Sequence, residues 1–356
     1  MTTRVIHVGL GGRGQHWLDF IRTRSDVTSV GYVDASQKIL DNVRARPGFE
    51  QGRFFGRLEE AVQAVEADFV LIATPSFLHA SQALQVLNAN FAVLVEKPLG
   101  LNLSDATAVT RRAREVGRAV VVAENYRFFQ AERTLRAFLE SGVAGRILSA
   151  MCIDRRDQSS STQGPWVKAM EHPFLAEIAV HHFDSFCYLF GNRPVSVLAR
   201  SFNPPGSDYD HEGAAHALLE FDDGPTVQYS GTFVGSRYQY ELWLETENGD
   251  VRTDRIRVWW RPRAQRRFTE VAPQALPPGE ALRYPHAGMA TILNQFLGAL
   301  QRGAAAETSA ENNLWTLAML DAAILSAREG RRASIEEVFP PAMRPATATH
   351  GNGARV

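Results

Sequence analysis

Apolar positions along this chain follow two regimes. Up to about residue 123, short continuous apolar runs alternate with longer segments of helical spacing. The runs lie near 4–8, 29–34, 53–55, 69–74, 91–96 and 119–123. They are β-branched and leucine-rich with little alternation, as expected of strands buried on both faces. Helical spacing fills the gaps, most clearly over Ser76–Asn88 and Ser104–Val116. Strand alternating with helix predicts α/β, a doubly wound parallel sheet.

After about residue 145 the pattern changes. Strand-like segments follow near 146–154, 194–202, 213–221, 225–233, 238–246, 249–253, 256–260 and 266–271. Turns such as Asp222-Asp223-Gly224-Pro225 and Glu247-Asn248-Gly249-Asp250 join them. This predicts a second, α+β domain on a mainly antiparallel sheet. Two helices follow, over 287–302 and 310–330. The expected organisation is a nucleotide-binding domain over 1–123, a second domain over 124–339, and a flexible Pro/Ala/Gly/Thr-rich tail over 340–356.

One segment breaks the second regime. Pro173 to Gly191 reads as a single helix, apolar on nearly every side and therefore buried. Across it run Glu177, His181 and Asp184, spaced as one polar stripe. Buried ionisable groups must be paired or hydrogen-bonded. A paired acid and histidine lining a cleft satisfies that. The competing readings are a solvated helix edge and a metal site, and no recognised metal spacing is present.

Composition narrows the class. At 356 residues the chain has room for two domains. A net charge of −1 points to neither nucleic acid nor an acidic membrane. Two cysteines are too few for a disulfide framework. No apolar run approaches a membrane span, and the N-terminus enters a strand at once, leaving no room for a signal peptide. A cytoplasmic enzyme is the expectation.

The first strand runs into Gly9-Leu10-Gly11-Gly12-Arg13-Gly14 and then a helical pattern. Gly9 permits the tight turn, Gly11 lets the backbone approach a pyrophosphate, and Gly14 lets helix pack on strand. The second strand ends in Asp34, placed to accept from ribose hydroxyls and to repel a 2′-phosphate. NAD is favoured, with NADP possible because Lys38 lies nearby. The strand 91–95 ends in Glu96-Lys97-Pro98, where an open parallel sheet binds its ligands. The proline raises the chance that the Lys97–Pro98 bond is cis, although trans remains the expectation. In the second domain, Asp154 to Trp166 is dense in hydrogen-bonding groups. Asp157 and the Trp166 ring there suit a polyhydroxylated ligand.

Together these residues resemble the Gfo/Idh/MocA family of glucose-fructose oxidoreductases and inositol dehydrogenases. The resemblance runs from Arg4 to Ser334. It rests on the glycine turn, Asp68 to Pro75 with His79, Glu96-Lys97-Pro98, Glu124-Asn125-Tyr126-Arg127-Phe128, the Glu177/His181/Asp184 stripe, and Ala322 with Ser326. It implies a Rossmann domain followed by a domain with a large open sheet. It implies that Lys97 and His181 are catalytic, supported by Glu177. Gly12, Arg13, Thr74, Pro75, His79, Glu96, Lys97 and Asn125 would join Gly9, Gly11, Gly14 and Asp34 around the cofactor. Tyr126, Arg127 and His182 would join Asp157 and Trp166 at the substrate. Family members usually carry aspartate where Glu177 stands and often glycine where Ala179 stands. The extra methylene of Glu177 moves its carboxylate by about 1.5 Å.

The expected reaction is reversible oxidation of a secondary alcohol of a sugar, sugar derivative or cyclitol, with His181 as base and Lys97 at the reacting oxygen. Two alternatives remain: a glycosidase-type member that oxidises transiently and eliminates, and a non-catalytic nucleotide-binding sensor. An open sheet face needs covering, which predicts a homodimer or homotetramer.

Overall fold

The structure, a computed structural model, describes residues 2–49, 52–159, 164–191 and 194–339. They form two compact units. The first comprises residues up to Glu124 with Gly279–Asn313, and the second Asn125–Pro278 with residues from Leu314 on. The tail expected over 340–356 lies outside the described residues.

The first unit runs β1 (Thr3–Val8), α1 (Gly12–Ile21), β2 (Val27–Val33), α2 (Gln37–Arg44), β3 (Phe54–Phe55), α3 (Leu58–Ala64), β4 (Phe69–Ile72), α4 (His79–Asn88), β5 (Ala92–Val95), α5 (Leu103–Val116) and β6 (Val120–Val122). Its six strands pair in the order β3-β2-β1-β4-β5-β6, all parallel. Val5, Ile6, Phe69, Val70, Ile72, Val93, Val95 and Val122 are fully buried, which is why these strands read as unbroken apolar runs. Strand order reverses between β1 and β4, the switch point beside which such sheets bind ligands. Helix α5 starts one residue earlier than its pattern suggests. Asn102 is the cap and its side chain accepts from Asp105 N at 2.9 Å.

The second unit runs α6 (Gln130–Glu140), β7 (Ile147–Asp157), α7 (Pro165–Lys168), α8 (Val180–Phe190), β8 (Pro194–Phe202), β9 (Ala214–Phe221), β10 (Thr226–Thr232), β11 (Val234–Thr246), β12 (Gly249–Thr253), β13 (Val258–Pro262) and β14 (Thr269–Glu270). After the return to the first unit described below, which carries α9 (Met289–Arg302) and the start of α10 (Ala310–Glu329), it continues from Leu314 with the rest of α10, β15 (Ala333–Ser334) and α11 (Ile335–Val338). Its nine strands pair in the order β14-β13-β12-β11-β7-β10-β9-β8-β15. Every pairing is antiparallel except β10 with β7, which is parallel. Tight turns fix the hairpin neighbours, whereas β7 arrives from before α8 and inserts between β10 and β11.

The two faces of this sheet differ. The cross-strand row Cys152, Tyr229, Ala217 and Ala199 is buried. The adjacent row Met151, Gln228, Leu218 and Leu198 is exposed, with three apolar members. No helix among the described residues is long and apolar enough to cross a membrane.

Residues 124–339 do not all stay in one unit. Gly279–Asn313 returns to the first. Val122 N donates to Thr308 O at 2.8 Å, extending the edge at β6, and Phe296 of α9 meets Phe69 at 4.7 Å. The pairing partners lie nearly two hundred residues apart, so local pattern carries no sign of them.

Candidate active site

In the first unit the glycines divide by what surrounds them. A Cβ on Gly14 would stand 2.0 Å from Gly9 O. One on Gly9, whose φ is +84°, would stand 2.6 Å from the Ala73 backbone. The fold itself requires both. A Cβ on Gly11 or Gly12 would meet nothing within 4 Å. Open space over the turn, beside a helix start that no side chain caps, fits a pyrophosphate taken up by backbone N–H groups. Asp34 holds the same turn. Its carboxylate accepts from Leu10 N at 2.9 Å and Ser36 N at 2.8 Å.

Glu96 is buried and its Oε1 accepts from Arg13 Nε at 2.6 Å and Trp17 Nε1 at 2.7 Å. Burial alone would raise this carboxyl, but Arg13 and the Trp17 hydrogen bond outweigh it and hold it below the usual range. Arg13 also donates to Pro285 O at 2.7 Å. Arg13 and Glu96 are thus engaged with each other. Buried His79 braces the turn that carries Lys97. Its Nδ1 lies 2.7 Å from Pro98 O and its Nε2 2.9 Å from Thr74 O. Thr74 Oγ1 bonds Gln82, Pro75 opens the turn into α4, and the Lys97–Pro98 bond is cis. Lys97 itself is half-buried.

In the second unit the expected helix over 173–191 is present, since residues 173–190 are helical without a break. A π turn spans Leu175–Ala179, and α8 begins at Val180. π turns concentrate at functional sites, and this one holds Glu177 immediately before His181. Glu177, His181 and Asp184 are all buried, which rules out the solvated-edge reading. They do not share one environment. Asp184 accepts from Arg127 Nε and Nη2 at 2.7 Å each, and from Thr316 Oγ1 at 3.2 Å. Arg127 is therefore half of a buried ion pair, not an open substrate ligand. Asn125 lies buried at the start of the turn Tyr126–Phe128. His181 lies flat on Tyr126, ring centroids 4.0 Å apart and planes within 11°.

His182 points the other way and is fully buried, so it does not face a substrate. Its Nε2 lies 3.0 Å from Asp154 Oδ2 and its Nδ1 2.8 Å from the Tyr229 hydroxyl. Burial lowers His182 to about 4, so at neutral pH it is an uncharged imidazole. Burial holds Tyr229 protonated, and its hydroxyl can donate to or accept from Nδ1 according to the His182 tautomer. Burial would raise Asp154, but His182 and Arg156 together hold it well below the usual range. Arg156 donates to both Asp154 oxygens at 2.9 Å and to the Tyr126 hydroxyl at 3.2 Å. Tyr126 lies below its usual phenol value, because Arg156 and Arg255 overcome burial.

The polar stretch from Asp154 is not a loop at its start, since β7 continues to Asp157. Asp157 is exposed there and Trp166 is half-buried in α7. Ser160 to Gln163 lie outside the described residues. Among the described residues no group of three or more His, Cys, Asp or Glu is placed to hold a metal ion.

The sequence placed Asp154 and Arg156 only within a polar stretch and did not single out Glu132, Tyr240 or Arg255. The first two left a signal. They continue the inward alternation Ala150, Cys152, where an apolar residue is expected. Arg255 left none, because nothing local places a hairpin-tip arginine inside a core.

Residues 3–124 match the oxidoreductase family with an NAD-binding Rossmann fold, and residues 133–252 match the GFO/IDH/MocA C-terminal domain. The chain belongs to the Gfo/Idh/MocA oxidoreductase family. Among its relatives is a D-apiose dehydrogenase of Paraburkholderia graminis, 27% identical, covering 98% of this chain and 93% of the relative. Another is an inositol 2-dehydrogenase of Rhizobium meliloti, 25% identical over 94% of this chain and 100% of the relative. A solved oxidoreductase from Agrobacterium radiobacter, in complex with NAD+, L-tartaric acid and magnesium, superposes with a TM-score of 0.83. It is 21% identical and covers 94% of this chain and 99% of its own. That likeness shows a shared fold.

Proposed function

We propose that this chain is an NAD-dependent dehydrogenase that oxidises a secondary hydroxyl of a sugar, sugar derivative or cyclitol to a ketone, reversibly. The observation that carries the reading is His181. It is a buried imidazole held flat against Tyr126 directly after a π turn that presents Glu177. The open space above Gly11 and Gly12 supports NAD, and the names of the relatives support a polyol.

NAD, held by the backbone over the Gly9–Gly14 turn, would supply the hydride acceptor for the alcohol and the hydride donor in the reverse direction. His181 takes the hydroxyl proton in the same transition state, because histidine exchanges protons near neutral pH. Lys97, on a turn braced by His79, holds the reacting oxygen and stabilises its developing negative charge. Glu177 orients His181 or binds a neighbouring substrate hydroxyl.

The test is NADH formation by the purified protein against a panel of sugars and cyclitols. Turnover with at least one polyol is expected. His181→Ala and Lys97→Ala should each abolish most of it, His181→Ala while leaving NAD binding intact. Bond cleavage without net NADH would point to the glycosidase-type reaction, and NAD binding with no turnover on any polyol would sink the dehydrogenase reading.

Under the same reading the protein works in the cytoplasm as a homodimer or homotetramer. The exposed row Met151, Leu218 and Leu198 supports a second copy against the open sheet face. A monomer in solution, measured by light scattering, would rule that out.

A further inference from the structure

Beneath His181 the second unit contains a column of flat groups. Tyr126 lies 4.0 Å from His181 with the rings near parallel. The guanidinium carbon of Arg255 lies 4.2 Å from the Tyr126 centroid and 3.6 Å from that of Tyr240. Tyr240 in turn lies near parallel to His182, 5.5 Å away. Sheet register sets the lower part of the column, because Tyr240 on β11 pairs with Asp154 on β7.

Arg255 occupies an unusual place for its residue type. It sits in the turn between β12 and β13 with φ of 72°. A left-handed position in a hairpin turn ordinarily takes Gly, Asn or Asp. The turn is built around it: Arg255 N donates to Thr253 Oγ1 at 3.0 Å, and Asp254 Oδ1 accepts from Ile256 N at 2.9 Å and Arg257 N at 2.8 Å. The side chain is buried, yet among the described residues its Nε and Nη2 make no hydrogen bond. Its Nη1 stands 3.9 Å from Asp154 Oδ2, beyond hydrogen-bond reach. A guanidinium serving as a salt-bridge fork would spend those donors. This one keeps an unfavourable backbone and sets its guanidinium carbon over two tyrosine rings.

We propose that Arg255 is a positioning residue for the reacting histidine: wedged between Tyr240 and Tyr126, its guanidinium holds Tyr126 flat against His181 and so fixes where the imidazole points. The proposal rests on the reading of His181 as the base. A base must meet its proton in a narrow geometry, and a displacement of about 1 Å costs roughly 100-fold in rate. His181 lies in the first turn of α8, directly after the π turn, and the helix fixes its backbone but not its ring, which the Tyr126 face restrains.

The test compares Arg255→Gly and Arg255→Lys. Glycine accepts the left-handed turn and removes the plane, and lysine keeps the charge without the plane. The first readout needs no substrate. In protein labelled at histidine Cε1, the Tyr126 ring should shift the His181 resonance upfield, with His181→Asn supplying the assignment and Tyr126→Leu marking the unstacked position. Arg255→Gly should move the signal most of the way to that mark, and Arg255→Lys should move it in the same direction. The second readout is turnover with NAD and the fastest polyol of the panel above. Arg255→Gly should lower kcat about 100-fold with KM for NAD unchanged. A His181 signal unmoved in Arg255→Gly overturns the proposal, and so does a moved signal with kcat retained. If the wild-type protein oxidises no polyol, the dehydrogenase reading fails by itself, and the resonance alone decides whether Arg255 sets the histidine.

Discussion

Replacing Arg127 by Met separates two roles for this residue. The resemblance places it at the substrate, whereas the structure buries it against Asp184, both side chains nearly inaccessible, with two hydrogen bonds of 2.7 Å. Met keeps most of the volume and removes the cation. Asp184 then retains Thr316 Oγ1 at 3.2 Å as its remaining side-chain partner of this group. Breaking a buried pair from one side costs about 3–5 kcal/mol, because the other charge is stranded. Adding Asp184→Asn removes that stranded charge, so the double variant should recover roughly half of the loss despite carrying one more substitution. Urea denaturation followed by tryptophan fluorescence reads this directly. Trp166, Trp243, Trp259, Trp260 and Trp315 lie in the second unit and only Trp17 in the first. The midpoint should fall at constant m. An Arg127→Met protein within about 0.5 kcal/mol of wild type, but with a much raised KM for the polyol, would refute the ion-pair argument.

Glu132 and His182 make opposite contributions to acid stability. Burial raises Glu132 to about 7 from 4.5, so it stabilises at low pH and that stability is lost as pH rises toward 7. Burial lowers His182 to about 4 from 6.5, so its contribution is complete above 6.5 and lost as pH falls toward 4. The two nearly cancel between those limits. Glu132→Gln should expose a loss of about 1.4 kcal/mol per pH unit on acidification, seen in urea midpoints taken across that range; a curve parallel to wild type would contradict it. Gly11→Ala should leave stability within about 0.5 kcal/mol, because its Cβ meets no protein atom within 4 Å. It should nonetheless weaken NAD binding by roughly 10–100-fold, measured by NADH fluorescence titration. Gly14→Ala should lower both, since its Cβ would stand 2.0 Å from Gly9 O; equal NAD affinity in Gly11→Ala and wild type would show that no phosphate lies there. Asp34→Ala should narrow the preference for NAD over NADP in kcat/KM, and a native enzyme that already uses NADP as well would show that this carboxylate serves only Leu10 and Ser36.

What the chain reveals on its own is what short-range chemistry dictates. Strands buried on both faces cannot avoid continuous apolar runs, so β1, β4 and β5 are legible, and with them the parallel sheet. A turn that brings backbone onto a phosphate needs glycines at fixed spacing, so Gly9, Gly11 and Gly14 stand out. A helix apolar all round must be buried, so the polar members of α8 draw notice. Which of those members meet each other is not local. Asp184 goes to Arg127 and His182 to Asp154, because two residues apart on α8 they face opposite sides, and only the packed fold decides what stands on each side. The parallel insertion of β7, the return of Gly279–Asn313 to the first unit, and the arrival of Arg255 beneath Tyr126 depend on contacts between distant segments. Such contacts leave no periodicity behind, since the energy that selects them is packing and desolvation of the assembled core, which no window of sequence contains.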